Sequence, residues 1–321
     1  MSESESAESE LRWNRRWDGT PGRLEVWYAT FTDRETGNGL WIHGETVAPV
    51  KGSGTAVTSH GWAALFPTGV DPVWERTGVD ETSSPADLAG DHPETFSIEG
   101  LNLGPSGSSG KTETLSWDLR WDSSDQAPVS TIPHWAWKRE ILPAAQQVPA
   151  PNLEASGWVE HHGTKYDFDG HGQVARIYGQ GNALRWGWLH ADLGDGDVIE
   201  VVTAVSKKVG LRKLPPTTFL RMRVGGEIWP KTRVASWGLR AKLGLPDWSI
   251  RGRTQGVEVN IEVEQPADRC VSIDYTDPDG ETATCTNTER ANLTVDLRTQ
   301  NGIKKTWKLG GTAHAEIGTR P

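Results

Sequence analysis

In LRWGWLHADL, residues 184–193, Leu184, Trp186, Trp188 and His190 fall on alternate positions, so a strand turns all four to one face. That face carries two broad aromatic surfaces and one imidazole. Either it walls a cavity for a flat or polyene-like ligand, with His190 as the polar contact, or it packs as inter-sheet core with a histidine at the rim. A second constellation lies in EVWYATF and LWIHGETV. Glu25 and Trp27 share one side of the first segment and Val26, Tyr28 and Thr30 the other, while Trp41, His43 and Glu45 share a side of the second. The turn Asp33-Arg-Glu-Thr-Gly-Asn-Gly39 sets these segments side by side, and matching parity would bring Glu25, Trp27, His43 and Glu45 together. A carboxylate and an imidazole among tryptophans have shifted pKa values, the condition for a general acid; the alternative is a polar row facing solvent. Trp62 and Trp74, around Pro67 and Pro72, belong to a lid over a cavity or to a loop anchored by two aromatics. The catalytic candidates are thus Glu25, His43, Glu45 and His190, and the aromatic lining candidates are Trp27, Tyr28, Trp41, Trp62, Trp74, Trp186 and Trp188.

These residues need strands to position them, and the chain supplies strands throughout. RLEVWYATFTD, GLWIHGETVAP, TETLSWDLRWD, DVIEVVTAVSK, VEVNIEVEQ, RCVSIDYTD and LTVDLRT all alternate apolar and polar residues. Gly-Asp-Gly at 194–196 and Asp-Pro-Asp-Gly at 277–280 supply hairpin turns. The longest helical candidate, HWAWKREILPAAQQ, is short and interrupted by proline. The chain therefore reads as all-β, suited to barrels or sandwiches. Prolines accumulate between 123 and 155, which places a domain boundary near 150: an acidic tail over 1–10, one β-domain over 11–150 and another over 151–321. WYATFTDRETGNGLWIHGETV and WGWLHADLGDGDVIEVVTAV form a weak internal echo across that boundary.

Composition excludes several classes. The 321 residues carry 43 acidic against 33 basic side chains, a net charge of −10 that disfavours general nucleic-acid binding. No run of 18 apolar residues exists to span a membrane, and MSESESAESE lacks the apolar stretch that export requires, so a cytoplasmic location is expected. The 17 Trp, against 5 Phe and 4 Tyr, must supply much of the apolar area, each burying up to about 250 Å². Cys270 and Cys285 stand at the two ends of a predicted hairpin, as two buried thiols or a cross-strand pair. His161, His162 and His171 lack the spacing of metal ligands, and no metal site is expected. GxSxG and P-loop motifs are absent.

GHGQVARIYGQGNALRWGWLHADLGDGDVIEVVTAV, residues 170–205, resembles the second-half signature of the tocopherol cyclase and hydroxyneurosporene synthase (carotenoid hydratase) superfamily, to which lipocalin-like Diels–Alderases are related. EVWYATFTDRETGNGLWIH is similar to the opening hairpin of that group. The resemblance implies two tandem lipocalin-like antiparallel β-domains enclosing a hydrophobic cavity. It also implies a lipophilic isoprenoid or polyene partner, and cyclisation, hydration or a pericyclic step with no metal or redox cofactor. Where those branches carry an acid or histidine before the Trp-Gly, this chain has Arg176, whose pKa above about 12 rules out proton donation near neutrality. Tyr178, Gln180 and Asn182 remain as hydrogen-bond partners for a carbonyl or hydroxyl, and Glu25, His43, Glu45 or His190 as the proton donor. A non-catalytic carrier of lipophilic ligands is the alternative, and a carbohydrate-binding module with exposed Trp platforms a third class.

Overall fold

The computed structural model describes residues 13–81, 94–123, 127–132, 137–140, 142–302 and 304–321. The acidic tail expected over 1–10 lies outside the described residues. β1 (Arg23–Asp33), β2 (Gly39–Ala48), β3 (Thr58–Phe66), β4 (Val73–Glu81), β5 (Phe96–Ile98), β6 (Leu101–Gly104), β7 (Gly107–Lys111), β8 (Leu115–Trp121), β9 (Val129–Ser130), β10 (Ala144–His161) and β11 (Thr164–Gly179) form a first sheet. Its order is β4-β3-β2-β1-β11-β10-β8-β7-β6-β5, with β9 beside β10. The second sheet holds β12 (Arg185–Gly194), β13 (Asp197–Val205), β14 (Thr217–Val224), β15 (Glu227–Trp229), β16 (Arg240–Lys242), β17 (Asp247–Thr254), β18 (Val257–Glu264), β19 (Val271–Thr276), β20 (Thr282–Thr299) and β21 (Lys304–Thr319). Its order is β15-β14-β13-β12-β21-β20-β18-β17-β16, with β19 beside β20. The two orders correspond from β4 to β6 and from β15 to β16, β5 being an extra edge strand of the first, so the echo between β1–β2 and β12–β13 marks equivalent places in two tandem antiparallel β-domains.

Each sheet curls so that its ends approach. Thr77 Oγ1 on β4 donates to the Glu99 carbonyl at 2.8 Å in the first sheet, and the Leu220 N–H on β14 donates to Ser236 Oγ at 3.1 Å in the second. Strand parity then decides where each side chain goes. On β1, Trp27, Ala29 and Phe31 fill the first sheet's own core, while Val26 and Tyr28 face the second sheet. On β12, Leu189 and Ala191 fill the second core, while Trp186 and Trp188 face the first sheet. A third cluster, between the sheets, is the site's scaffold. Because β1 and β2 are buried on both faces, polar residues there are not a solvent row but part of an interior.

Three expectations need correction, and the alternative left open for the cysteines is decided for thiols. Residue 150 falls inside β10, and the chain passes from one sheet to the other at 180–184. The prolines that suggested a break, Pro149 and Pro151, sit where β10 pairs irregularly with β11, which lets a residue without an N–H stay in a strand. The end of the helical candidate, Ala144–Gln147, is the start of β10; residues 133–136 and 141 lie outside the described residues. Trp62 and Trp74 belong to neither lid nor loop but to paired strands β3 and β4. Cys270 and Cys285 are free thiols, because the β19–β20 register sets Cys285 opposite Ile273.

Candidate active site between the sheets

A cavity of about 350 Å³ lies between the sheets, walled by Val26, Tyr28, Trp41 and Ile177 of the first and by Trp186, Trp188, Val202 and Tyr275 of the second. The wall is mostly apolar. Trp186 lies across β21 because its partner in register is Gly318: a Cβ there would fall 2.0 Å from the indole. The linker before it is glycine for a similar reason. Gly181 has φ of +124° and its missing Cβ would sit 2.7 Å from the Asp277 carboxylate, which accepts from the Asn182 backbone N–H at 3.0 Å and side-chain Nδ2 at 2.8 Å.

The first-sheet wall carries a charged carboxylate. Register pairs Tyr28 with His43 and Val26 with Glu45, so β2 sends His43 and Glu45 to the cavity. His43 Nε2 lies 3.2 Å from Glu45 Oε2, and His60 Nε2 lies 2.8 Å from Oε1. Burial pushes the Glu45 carboxyl up, but hydrogen bonds from His43 and His60, and then their charges, outweigh it and hold the group at about 2. Burial lowers His43 despite Glu45, so its imidazole is neutral near pH 7. With Nε2–H donating to Glu45, Nδ1 is left as the acceptor. The ring is fixed by stacking on Trp62, with centroids 3.8 Å apart and 9° between planes.

The second-sheet wall carries carboxyls whose pKa burial raises. Trp186 Nε1 donates to Glu316 Oε1 at 2.6 Å, and Cys285 Sγ donates to Oε2 at 3.4 Å. Glu316 exposes surface as part of the cavity wall, yet its carboxyl is surrounded by protein; that burial raises its pKa against the bonds from Trp186 and Cys285. Among the described residues the partners that lower it are Trp186, Cys285 and Asn287, none of them a cation. One layer behind, Glu200 is pushed up to about 8 by burial, although Trp188, Gln146 and Gln173 pull it down. Trp188 Nε1 donates to Glu200 Oε1 at 2.8 Å, and Gln146 Nε2 donates to the same oxygen at 2.6 Å and to Tyr28 Oη at 2.6 Å. A polar seam continues away from the cavity: Thr30 donates to Glu289, whose Oε2 is 3.5 Å from His314 Nδ1, and Thr32 meets His314 Nε2 at 2.7 Å. Burial raises Glu289 and lowers His314, so this seam is also uncharged near neutrality.

Of the residues singled out by sequence, Tyr28, Trp41, His43, Glu45, Asn182, Trp186 and Trp188 line the cavity, and Trp62 backs His43. Glu25 and Trp27 do not join them, because their parity on β1 is opposite. Glu25 accepts the backbone N–H groups of Arg16 at 2.9 Å and Trp17 at 2.8 Å, and Trp27 lies in the first core under the Arg176 guanidinium. His190 faces the seam, with Nδ1 3.1 Å from His314 Nδ1 and Nε2 3.2 Å from the Pro151 carbonyl oxygen; burial holds it down at about 3. Trp74 packs beside Arg76, Tyr178 beside Arg16, and Gln180 is exposed; none of the three lines the cavity. Sequence reasoning passed over Glu200, Glu316, Tyr275 and Gln146. The available signal was a lone Glu in the apolar run of DVIEVVTAV, and the shared parity of His314, Glu316 and Gly318 in AHAEIGT.

Among the described residues no group of three or more His, Cys, Asp or Glu could hold a metal ion, and no helix is long and apolar enough to cross a membrane. A family model described as tocopherol cyclase-like matches residues 104–319, about two thirds of the chain, and the protein belongs to that family. Uncharacterized protein Rv0493c of Mycobacterium tuberculosis is 48% identical over 306 residues, covering 95% of this chain and 89% of its own. Kievitone hydratase from Nectria haematococca shares the fold with TM-score 0.54 and 12% identity, over 91% of this chain and 88% of its own. CghA, solved with Sch210972, shares it with TM-score 0.58 and 11% identity, over 96% and 94%. These two likenesses establish a common architecture.

Proposed function

We propose that the protein binds a hydrophobic isoprenoid or polyene molecule in the cavity between its sheets and cyclises or hydrates it by proton transfer from Glu316. The observation that carries this reading is a carboxyl, Glu316, whose pKa burial raises in the wall of an apolar cavity. A raised pKa favours the protonated form of a carboxyl, and such an acid in low dielectric is a strong donor to an alkene carbon. The indole N–H of Trp186 meets Oε1 at 2.6 Å, and the acid proton is assigned to Oε2, which lies 3.4 Å from the Cys285 sulfur. In the step proposed, the Oε2–H bond breaks as a C–H bond forms, and the cation is captured by water in hydration, or by an internal hydroxyl or alkene in cyclisation. The proton released on capture goes to His43 Nδ1, with Glu45 stabilising the imidazolium, or returns to Glu316. Trp41, Trp186, Trp188 and Tyr28 hold the reactive conformer, which supplies a further share of the rate. The tocopherol cyclase-like family and the shared fold of kievitone hydratase support cyclisation or hydration as the type of reaction.

The test starts with the protein purified from its host. An organic extract analysed by mass spectrometry is expected to contain a lipophilic molecule, and adding it back to stripped protein to quench Trp fluorescence. An empty extract, with no quenching by a panel of isoprenoids, quinones and polyenes, overturns the cavity reading. A ligand that binds and is released unchanged by the wild type leaves a carrier.

A further inference from the structure

Among the residues that line the cavity, Lys208, Leu211, Thr217 and Trp237 are the exposed ones, and they mark its mouth. Lys208 and Leu211 come from the connection between β13 and β14, Ser206-Lys-Lys-Val-Gly-Leu-Arg-Lys-Leu-Pro-Pro216, which holds four basic residues and no acidic one in a chain of net charge −10. Lys207 is paired with Asp279 at 2.7 Å. Lys208, Arg212 and Lys213 are exposed, and among the described residues none has a carboxylate within ion-pair distance. Between these cations stand apolar side chains that water does not favour: Leu211 is 43% exposed, Leu214 56% and Trp237 41%, with Val234 at 44% one turn before Trp237. Leu211 and Leu214 are held there by an ordered turn, in which the Arg212 N–H donates to the Lys208 carbonyl at 3.1 Å and the Leu214 N–H to the Leu211 carbonyl at 3.0 Å, and Val234 and Trp237 by a short 3-10 turn in which the Trp237 N–H donates to the Val234 carbonyl at 3.2 Å.

We propose that this rim docks on an anionic membrane surface, with Leu211, Leu214 and Trp237 entering the boundary between headgroups and acyl chains while Lys208, Arg212 and Lys213 meet the lipid phosphates. Interspersed cations and large apolar side chains are the composition that suits that boundary. The location suits it too: a lipophilic molecule passes from bilayer to cavity without entering water, an inference that rests on the cavity reading above. A second copy of the chain seated on the same rim would close the mouth.

Vesicle flotation tests this, with phosphatidylcholine alone and with about a third phosphatidylglycerol. The wild type is expected to float with the anionic vesicles only, and less as salt rises. Lys213→Glu and Leu214→Asp, neither of which lines the cavity, are each expected to weaken partition about fivefold or more. Quenching of Trp by a water-dispersible polyene should stay within about twofold in both variants, which shows them folded with the cavity intact. No partition into anionic vesicles at low salt, or partition unchanged in the double variant, overturns the docking surface. Absent partition with quenching intact overturns docking alone, whereas partition without quenching keeps docking and removes the cavity reading. A dimer that Leu214→Asp abolishes, without vesicle binding, assigns the rim to a second copy instead.

Discussion

The two walls of the cavity use the same residue type to opposite ends. On β2, Glu45 lies fully inside the protein yet is ionised, because two imidazole N–H groups converge on its oxygens. On β21 and β13, Glu316 and Glu200 are enclosed to a similar degree and burial raises both, Glu200 to about 8, because their partners are neutral indole, thiol and amide groups. Burial alone thus does not set the charge of a carboxyl. The number and kind of donors aimed at it does. Across two sheets of matching topology, this contrast sets an ionised carboxylate on one wall of the cavity against a carboxyl of raised pKa on the other.

The largest effect expected is on chemistry. Glu316→Gln keeps the shape and the acceptor for Trp186 but removes the proton, so turnover should fall by about 10²–10⁴-fold while ligand affinity stays within about threefold. A loss confined to affinity would make Glu316 a binding group and erase the contrast. Next comes the pH dependence of stability. Glu200 is raised from 4.5 to about 8 in the fold, so between those values the native state holds a proton that the unfolded chain has lost. Stability from this group is full below pH 4.5 and declines as pH rises through about 8. Glu200→Gln should flatten that decline and add on the order of a few kcal/mol at pH 8, seen as a higher Tm. Glu45 has the reverse sign: lowered to about 2, it contributes stability above pH 4.5 that is lost as pH falls through about 2. Glu45→Gln should cost about 1–3 kcal/mol at pH 7 and remove that acid-side loss, measured by denaturant titration at several pH values. The smallest effect is at Glu25, whose substitution by Gln should leave turnover within about twofold; an inactive Glu25→Gln enzyme would move the acid to the other face of β1.

Much of the fold was legible because turn chemistry and period-two alternation are local. The hairpin turns at 33–39, 194–196 and 277–280 join the strands that alternation predicts, and β1 and β2 begin where RLEVWYATFTD and GLWIHGETVAP begin. The partnership of faces was not local. Glu25 and His43 look compatible in sequence, but the register that pairs Tyr28 with His43 sends Glu25 to the other side, and a one-residue difference in register reverses a face. Of the proposed cavity residues, Tyr28, Trp41, Trp186 and Trp188 were reached through aromatic patterning and His43 and Glu45 through their shared parity, whereas Glu316 and Glu200 were missed because a single Glu in an apolar strand looks like an outward-facing residue. Only a second sheet covering that outer face makes it interior. The prolines of β10 misled for a related reason: the bulges that accommodate them are visible only in the pairing with β11.

The most direct test of the contrast between the walls is infrared difference spectroscopy at pH 7, comparing wild type with Glu316→Gln and with Glu45→Gln. The account predicts that Glu316→Gln removes a protonated-carboxyl C=O stretch and leaves the carboxylate bands unchanged, and that Glu45→Gln removes carboxylate intensity alone. A Glu316→Gln spectrum that loses carboxylate intensity instead would show both walls charged, and would contradict the assignment of Glu316 as the acid.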